Sequence, residues 1–184
     1  MAKLSKQKGA EWERSTCKRL SLWVSNMTRE DIFWRSAMSG GRATFATRKG
    51  REAEEVSAQA GDISAISAEG ELLIKHFFIE CKNYADLKLD TLVYGTVGLS
   101  DIYWKEPLEQ AEKYKKIPLV VAKENYQNPI MITTEKGYKI LKKALKEGHK
   151  LPIYAIYPQH GMYVMSFRDL LGSVSYEKFK EQNS

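Results

Sequence analysis

The segment LLIKHFFIECK, residues 72–82, runs from an apolar stretch directly into an acid and a lysine that are separated by one residue. In a strand, alternate side chains lie on one face, so Glu80 and Lys82 point the same way and Cys81 points the other way. Charged side chains at the end of an apolar strand are costly to desolvate unless they are paired or used. We therefore take this strand end as the centre of the candidate site.

A second acid, Asp62, precedes Glu80 by 18 residues. The pattern predicts one strand over residues 63–67 and another over 72–81, joined as a hairpin around the Glu-Gly pair at 69–70. On neighbouring strands, the two carboxylates and the lysine would form one group. Such a group can hold Mg²⁺ through oxygen and position a water for attack on a phosphodiester.

The composition is that of an ordinary globular chain with a basic excess. The chain has 184 residues, 43% of them apolar and 28% charged, and a net charge of +6. This length favours a single domain over residues 1–184. The basic excess favours a polyanionic partner such as nucleic acid, although the charge alone fits a protein without such a partner equally well.

The cysteines and histidines do not form a zinc motif. Cys17 and Cys81 are the only cysteines, they form no CxxC pair, and the three histidines are scattered. Two buried thiols in a reducing cytosol are the simplest interpretation. No signal peptide follows the basic amino terminus, and no stretch approaches a membrane span, so we expect a soluble intracellular protein.

The first predicted element is a helix from Gly9 to about Asn26. Glu13 falls on one face of it with Cys17, Leu20 and Val24. A carboxylate in line with an apolar stripe needs a partner, and a metal-bound water is one. A helix-end acid near the positive end of the macrodipole is an equally good interpretation.

The remaining pattern predicts a mixed α/β fold, with a central sheet flanked by helices. Strands are predicted over residues 32–35, 119–122, 130–133, 153–157 and 162–165. Helices are predicted from Pro107 to residue 116 and over residues 135–147, 167–171 and 176–181.

Gly61-Asp62 followed by Glu80-Cys81-Lys82, with Glu13 on an amino-terminal helix, resembles the PD-(D/E)xK nuclease superfamily, with Gly-Asp in place of Pro-Asp. The G-x-x-x-E-R start at residues 9–14 and the Ser-Gly-Gly sequence at 39–41 resemble archaeal-type and phage Holliday junction resolvases. A Q-x-x-x-Y signature runs from Gln110 to Tyr114. The resemblance covers residues 8–123 and implies a restriction-endonuclease-like core, with residues 124–184 as additional strands and helices of the same domain.

The resemblance implies a role for each residue of the group. Asp62 and Glu80 would bind Mg²⁺ or Mn²⁺, with the backbone carbonyl of Cys81 as a further ligand. Lys82 would polarise the attacking water and offset charge on the phosphorane. Glu13 would bind a second ion or orient the water.

Gln110 would fix a carboxylate or a metal-bound water, although an ordinary surface glutamine fits its spacing equally well. DNA contacts are expected from basic and polar residues around the site: Arg35, Ser39, Arg42, Arg48, Lys49, Arg51 and Lys123. A stripe of lysines at 136, 139, 143, 146 and 150 is more typical of a solvated face than of a DNA contact.

The resulting hypothesis is a metal-dependent, structure-selective DNA endonuclease, foremost a Holliday junction resolvase. It would act as a homodimer in the cytoplasm of a prokaryote or of a phage-infected host, with residues 87–104 as the candidate dimer surface. A restriction, repair or nicking endonuclease of the same fold is the enzymatic alternative. A DNA-binding relative without turnover is the other, and the intact Asp62, Glu80 and Lys82 argue against it.

Overall fold

Residues 2–36, 60–84 and 104–183 are described by the structure, a computed structural model, with side chains from residue 7 onward. The helices within these ranges are α1 (Ala2–Val24), α2 (Ala68–His76), α3 (Glu106–Lys113), α4 (Glu135–Lys143), α5 (Phe167–Ser173) and α6 (Tyr176–Asn183). The strands are β1 (Phe33–Arg35), β2 (Ile63–Ala65), β3 (Phe77–Tyr84), β4 (Ile117–Glu124), β5 (Ile130–Thr133), β6 (Ile153–Tyr157) and β7 (Met162–Ser166).

The main sheet has five strands in the order β3-β4-β5-β7-β6. β3 and β4 are parallel, with Glu80 beside Val120 and Lys82 beside Ala122, and the other pairs are antiparallel. β1 and β2 form a separate antiparallel pair. The mixed α/β fold predicted from the sequence is confirmed, and it is consistent with a restriction-endonuclease-like core.

The two faces of β3 have different neighbours. Ile79 and the side of β3 that it occupies join the large core that contains α1 and α6. Phe78 packs instead with Ala111 of α3 and with Tyr114. Because side chains alternate along a strand, Glu80 and Lys82 lie on the Phe78 side of β3, facing α3.

The predicted hairpin around residues 69–70 is wrong. Residues 68–76 form α2, whose Leu73 and Ile74 are buried. An apolar run of this length does not distinguish a buried strand from a buried helix. Gly70 lies within α2 and not in a turn. A Cβ at this position would lie 2.7 Å from the ring of Phe33, so the glycine lets α2 approach β1 closely.

Three predicted helix ends also differ from the structure by three residues or more. α3 ends at Lys113 rather than at residue 116. α1 begins at Ala2, seven residues before the predicted start at Gly9. α4 ends at Lys143 rather than near residue 147, and Leu145 instead forms a bridge with Val174. The predicted lysine stripe therefore keeps only residues 136, 139 and 143 on the helix.

Other predictions are confirmed or lie outside the described residues. Cys17, Leu20 and Val24 are buried, as the periodicity of α1 predicts. The predicted dimer surface lies outside the described residues up to residue 103. Its last residue, Trp104, is buried and donates from Nε1 to the carbonyl of His160 at 3.0 Å. In the described part of the chain, no helix combines the length and apolarity that a membrane crossing requires.

Candidate active site

Asp62 is held at the edge of β3 by three hydrogen bonds. Its N–H donates to the carbonyl of Ile79 at 2.9 Å, and its carbonyl accepts from the N–H of Ser36 at 2.8 Å. Its Oδ2 accepts from the N–H of Cys81 at 2.8 Å. These bonds tie the start of β2 to the ends of β1 and β3, so the buried carboxylate lies beside the strand end that carries Glu80.

Gly61 permits this approach. Its φ is +92°, in the region that favours glycine, and a Cβ at this position would lie 2.6 Å from the carbonyl oxygen of Ile79. Proline cannot adopt this φ, and alanine would meet the neighbouring backbone. The glycine that stands before Asp62, where the resembled motif has proline, is therefore required by the local backbone.

Glu80 and Lys82 form an ion pair on the face of β3 that the alternation predicts. Lys82 Nζ lies 2.9 Å from Glu80 Oε1, and the two side chains are 13% and 19% exposed respectively. Glu106, in the first turn of α3, places its Oε2 3.9 Å from the same Nζ. The lysine thus lies between a strand carboxylate and a helix carboxylate.

Among the described residues, carboxylates outnumber cations around Asp62. Burial, and then the nearby Glu80, raise the pKa of Asp62 to about 7, against the lowering effects of the Cys81 N–H and of Lys82. Burial also raises the pKa of Glu80, although Lys82 acts in the opposite direction. Among the described residues, no lysine or arginine forms an ion pair with Asp62. A divalent cation would relieve this crowding of carboxylates.

Glu13 lies on the α1 side of the site and is paired with Arg35. Arg35 Nε donates to Glu13 Oε2 at 2.5 Å, and the side chains are 31% and 14% exposed respectively. The sequence predicted Arg35 as a DNA contact and left Glu13 between a metal site and a helix-end acid. The structure pairs the two side chains with each other, and their roles toward DNA and metal stay predictions.

The two thiols are poor ligands. Burial raises the pKa of Cys17 to about 12 and that of Cys81 well above its ordinary value. Because a thiol must ionise to bind a metal, Cys81 can contribute only its backbone carbonyl.

Comparison with protein families matches residues 4–181 to the family described as phage putative PDDEXK endonuclease. The chain belongs to this family. The match confirms the predicted PD-(D/E)xK superfamily, and it extends beyond residue 123, where the motif resemblance ends. Membership in an endonuclease family implies a DNA substrate. No curated protein and no solved structure matches the chain.

Two further predicted residues of this PDDEXK endonuclease lie on α3 and β4, which are neighbours of β3. Gln110 is half-buried on α3, which packs on β3 and β4, but among the described residues no hydrogen bond joins its side chain to Asp62 or Glu80. Lys123 lies near the end of β4, with its Nζ 5.4 Å from the centre of the Trp12 ring. Five predicted DNA contacts lie outside the described residues: Ser39, Arg42, Arg48, Lys49 and Arg51.

Sequence reasoning missed Glu106 and the pairing of Arg35. Glu106 precedes Gln110 by four residues, so the two share a face of α3. This spacing could have indicated Glu106 as a neighbour of the site. The Glu13–Arg35 pair has no local signal, because α1 and β1 are brought together only by packing.

The donor set suits a hard divalent ion more than a zinc ion. In the described ranges, no group of three or more His, Cys, Asp or Glu side chains is placed to hold a metal. Magnesium often uses only one or two carboxylates and keeps several waters. Asp62 and Glu80, with the Cys81 carbonyl, therefore fit such an ion by the chemistry of their oxygens.

Proposed function

We propose that this PDDEXK endonuclease hydrolyses DNA phosphodiester bonds with the aid of Mg²⁺ or Mn²⁺. The observation that carries the proposal is the position of Asp62, whose carboxylate is bonded to the N–H between Glu80 and Lys82. Asp62, which precedes β2, thus lies beside the end of β3 that carries Glu80 and Lys82. Asp62, Glu80 and the carbonyl of Cys81 would hold the ion.

Each side chain has a chemical role in this proposal. The bound ion would supply Lewis-acid stabilisation of the phosphate oxygens. Lys82, whose amine is largely buried, orients the attacking water and offsets the negative charge that develops at phosphorus. Glu13, on α1, orients the attacking water. Gln110, on α3, fixes a carboxylate or a metal-bound water.

We further propose a four-way junction as the substrate and a homodimer as the active form. The G-x-x-x-E-R start and the Ser-Gly-Gly sequence, both shared with junction resolvases, support this substrate. Two symmetric cuts need two sites related by a dyad, which a twofold dimer supplies. The chain would act as a single nuclease domain over residues 1–184, in the cytoplasm of a prokaryote or an infected host.

The test is cleavage of a labelled four-way junction and of linear duplex with the same sequence, each with Mg²⁺ and with EDTA. We expect Mg²⁺-dependent, paired cuts in the junction and little cutting of the duplex. Asp62→Asn should abolish cutting and leave binding largely intact. Asp31→Asn is the matched control, since Asp31 is an exposed surface acid paired with Arg29.

The outcomes separate the rival functions. Equal cutting of linear duplex would favour a restriction, repair or nicking endonuclease over a resolvase. Binding without cutting, under every metal condition, would favour a non-catalytic DNA-binding protein. Full activity of Asp62→Asn would contradict the proposed ion site itself.

A further inference from the structure

We propose that Arg35 takes the place of a second cation, so that the site binds a single divalent ion and Glu13 is not a ligand. This inference rests on the proposed function and specifies its metal content. It also assigns Arg35 as a positioning residue, in place of the DNA contact that the sequence predicts.

The first support is the geometry of the pair. Arg35 is the last residue of β1 and pairs in register with Ile63, the residue after Asp62. Its guanidinium therefore starts from a backbone that is fixed beside the candidate site. From there it reaches the carboxylate of Glu13, which is only 14% exposed. Separating the two would leave a charge without its partner in a mostly buried environment, which is strongly unfavourable.

The second support is the charge of the cluster. Among the described residues, four carboxylates, Glu13, Asp62, Glu80 and Glu106, lie with two cations, Arg35 and Lys82, which gives a formal charge of −2. One divalent ion makes this cluster neutral, whereas two would give +2. Because an arginine does not lose its proton in proteins, it cannot relieve that excess.

The third support is the grouping of the acids. The described residues contain no set of three carboxylate, thiol or imidazole side chains placed around one point. Asp62 and Glu80 flank the strand end through Cys81, while Glu13 is turned to Arg35. The two carboxylates left for an ion suit one Mg²⁺ with several waters.

The test counts Mn²⁺ ions bound per full-length chain, by equilibrium dialysis and calorimetry, and records the Mn²⁺ spin-resonance spectrum. Sites lost in Asp62→Asn define the ions of the candidate site. We expect the wild-type protein and Glu13→Gln each to hold one ion, with an uncoupled spectrum. Arg35→Gln, which frees the Glu13 carboxylate, should hold two, with a spin-coupled spectrum.

Two controls separate charge from disturbance. Arg35→Lys keeps a cation and should return the count to one. Arg29→Gln removes another paired arginine, exposed and bonded to Asp31 and Glu69, and should leave the count at one. If Arg35→Gln does not fold, the numbers of Mn²⁺ ions bound by the wild-type protein and by Glu13→Gln still test the inference.

Several results would overturn the inference. These are two ions in the wild-type protein, loss of the ion in Glu13→Gln, or one ion in a folded Arg35→Gln. If Arg35→Gln binds the same number of Mn²⁺ ions as the wild-type protein but binds DNA more weakly and with less salt dependence, Arg35 is a phosphate contact. Two ions with Mg²⁺-dependent cutting would overturn this inference alone, whereas no ion and no metal dependence would overturn the proposed function as well.

Discussion

The carboxylate of Asp62 accepts a hydrogen bond at 2.8 Å from the backbone N–H of Cys81, the residue between Glu80 and Lys82. One bond therefore links the two halves of the motif, which are separated in sequence by β2 and α2. The geometry of the site depends on how closely the chain at Gly61 approaches β3.

Gly61→Ala tests this approach. We expect it to destabilise the protein by about 2 kcal/mol or more, because it adds a positive-φ penalty to a clash with the Ile79 carbonyl. Cleavage should fall with it, since Asp62 is displaced. Chemical denaturation measures the first effect and junction cleavage the second.

The control for this substitution is Gly148→Ala. Gly148 has a φ of +73° but open space around its Cβ position, so it carries only the conformational penalty, about 1 kcal/mol. Equal losses at the two positions would mean that the contact with Ile79 is not decisive.

The pH dependence of stability follows from Asp62. Its pKa in the folded protein, about 7, lies above the ordinary value of 3.8, so the folded state binds the proton more tightly. The stabilisation is complete below about pH 4 and is lost as the pH rises through 7. The free energy of unfolding of the metal-free protein should therefore fall across this window, by an amount on the order of 2–4 kcal/mol.

Asp62→Asn should remove much of this slope and make the metal-free protein more stable than wild type at pH 8. Urea titrations at several pH values, with EDTA present, measure both effects. A wild-type stability that rises from pH 4 to 7, with no change in Asp62→Asn, would contradict the charge crowding inferred at this site.

Lys82 and Glu106 should differ sharply in their effect on catalysis. Lys82→Gln is expected to reduce kcat by about 10²-fold or more, because the amine is largely buried and, in the proposed function, orients the attacking water. Glu106→Gln should change kcat by less than about fivefold, since its carboxylate is mostly exposed and lies 3.9 Å from the lysine. Single-turnover cleavage rates measure both, and similar losses would give Glu106 a larger role than its exposure suggests.

Lys123 is expected to contribute one phosphate contact. Lys123→Ala should weaken DNA binding and lower the slope of log K against log salt by about 1. Lys18→Ala is the control, because Lys18 is exposed on α1 and paired with Glu30. Binding measured by fluorescence anisotropy at four or more salt concentrations gives the slopes, and an unchanged slope would leave Lys123 only its contact with Trp12.

The two glycines of α2 and α5 should respond oppositely to alanine. Gly70→Ala should destabilise the protein, because its Cβ would lie 2.7 Å from Phe33 and 2.9 Å from Ile32. Gly172→Ala, with nothing within 4 Å, should stabilise it by about 0.5–1 kcal/mol. Thermal unfolding of both variants measures this, and stabilisation by Gly70→Ala would contradict the close contact between α2 and β1.

The sequence predicts those elements whose pattern is local. The strands β4 and β5 are continuous apolar runs, and the buried stripe of α1 follows a helical period. α2 is not predicted, because its apolar residues continue into β3 without a break and Gly70 resembles a turn signal. The role of that glycine depends on Phe33, which is distant in sequence.

The same division holds at the site. The spacing of Asp62, Glu80 and Lys82 predicts that they form one group, but the predicted hairpin that would bring them together is replaced by β2 and α2, and β2 pairs with β1. The pairing of Glu13 with Arg35 is not predictable in this way, since it depends on how α1 packs beside β1. Which side chain a charged residue pairs with depends on the tertiary packing, whereas the motif can be recognised in the amino-acid sequence.

The parallel pairing of β3 with β4 also bears on how the protein folds. Phe77 pairs with Ile117, 40 positions along the chain, so a long loop must close before these strands gain their mutual contacts. The β6–β7 hairpin, by contrast, joins neighbouring residues. We therefore expect the hairpin to form early and the strand end that carries Glu80 and Lys82 to become ordered late. A newly synthesised chain would then become catalytically active only in the last steps of folding.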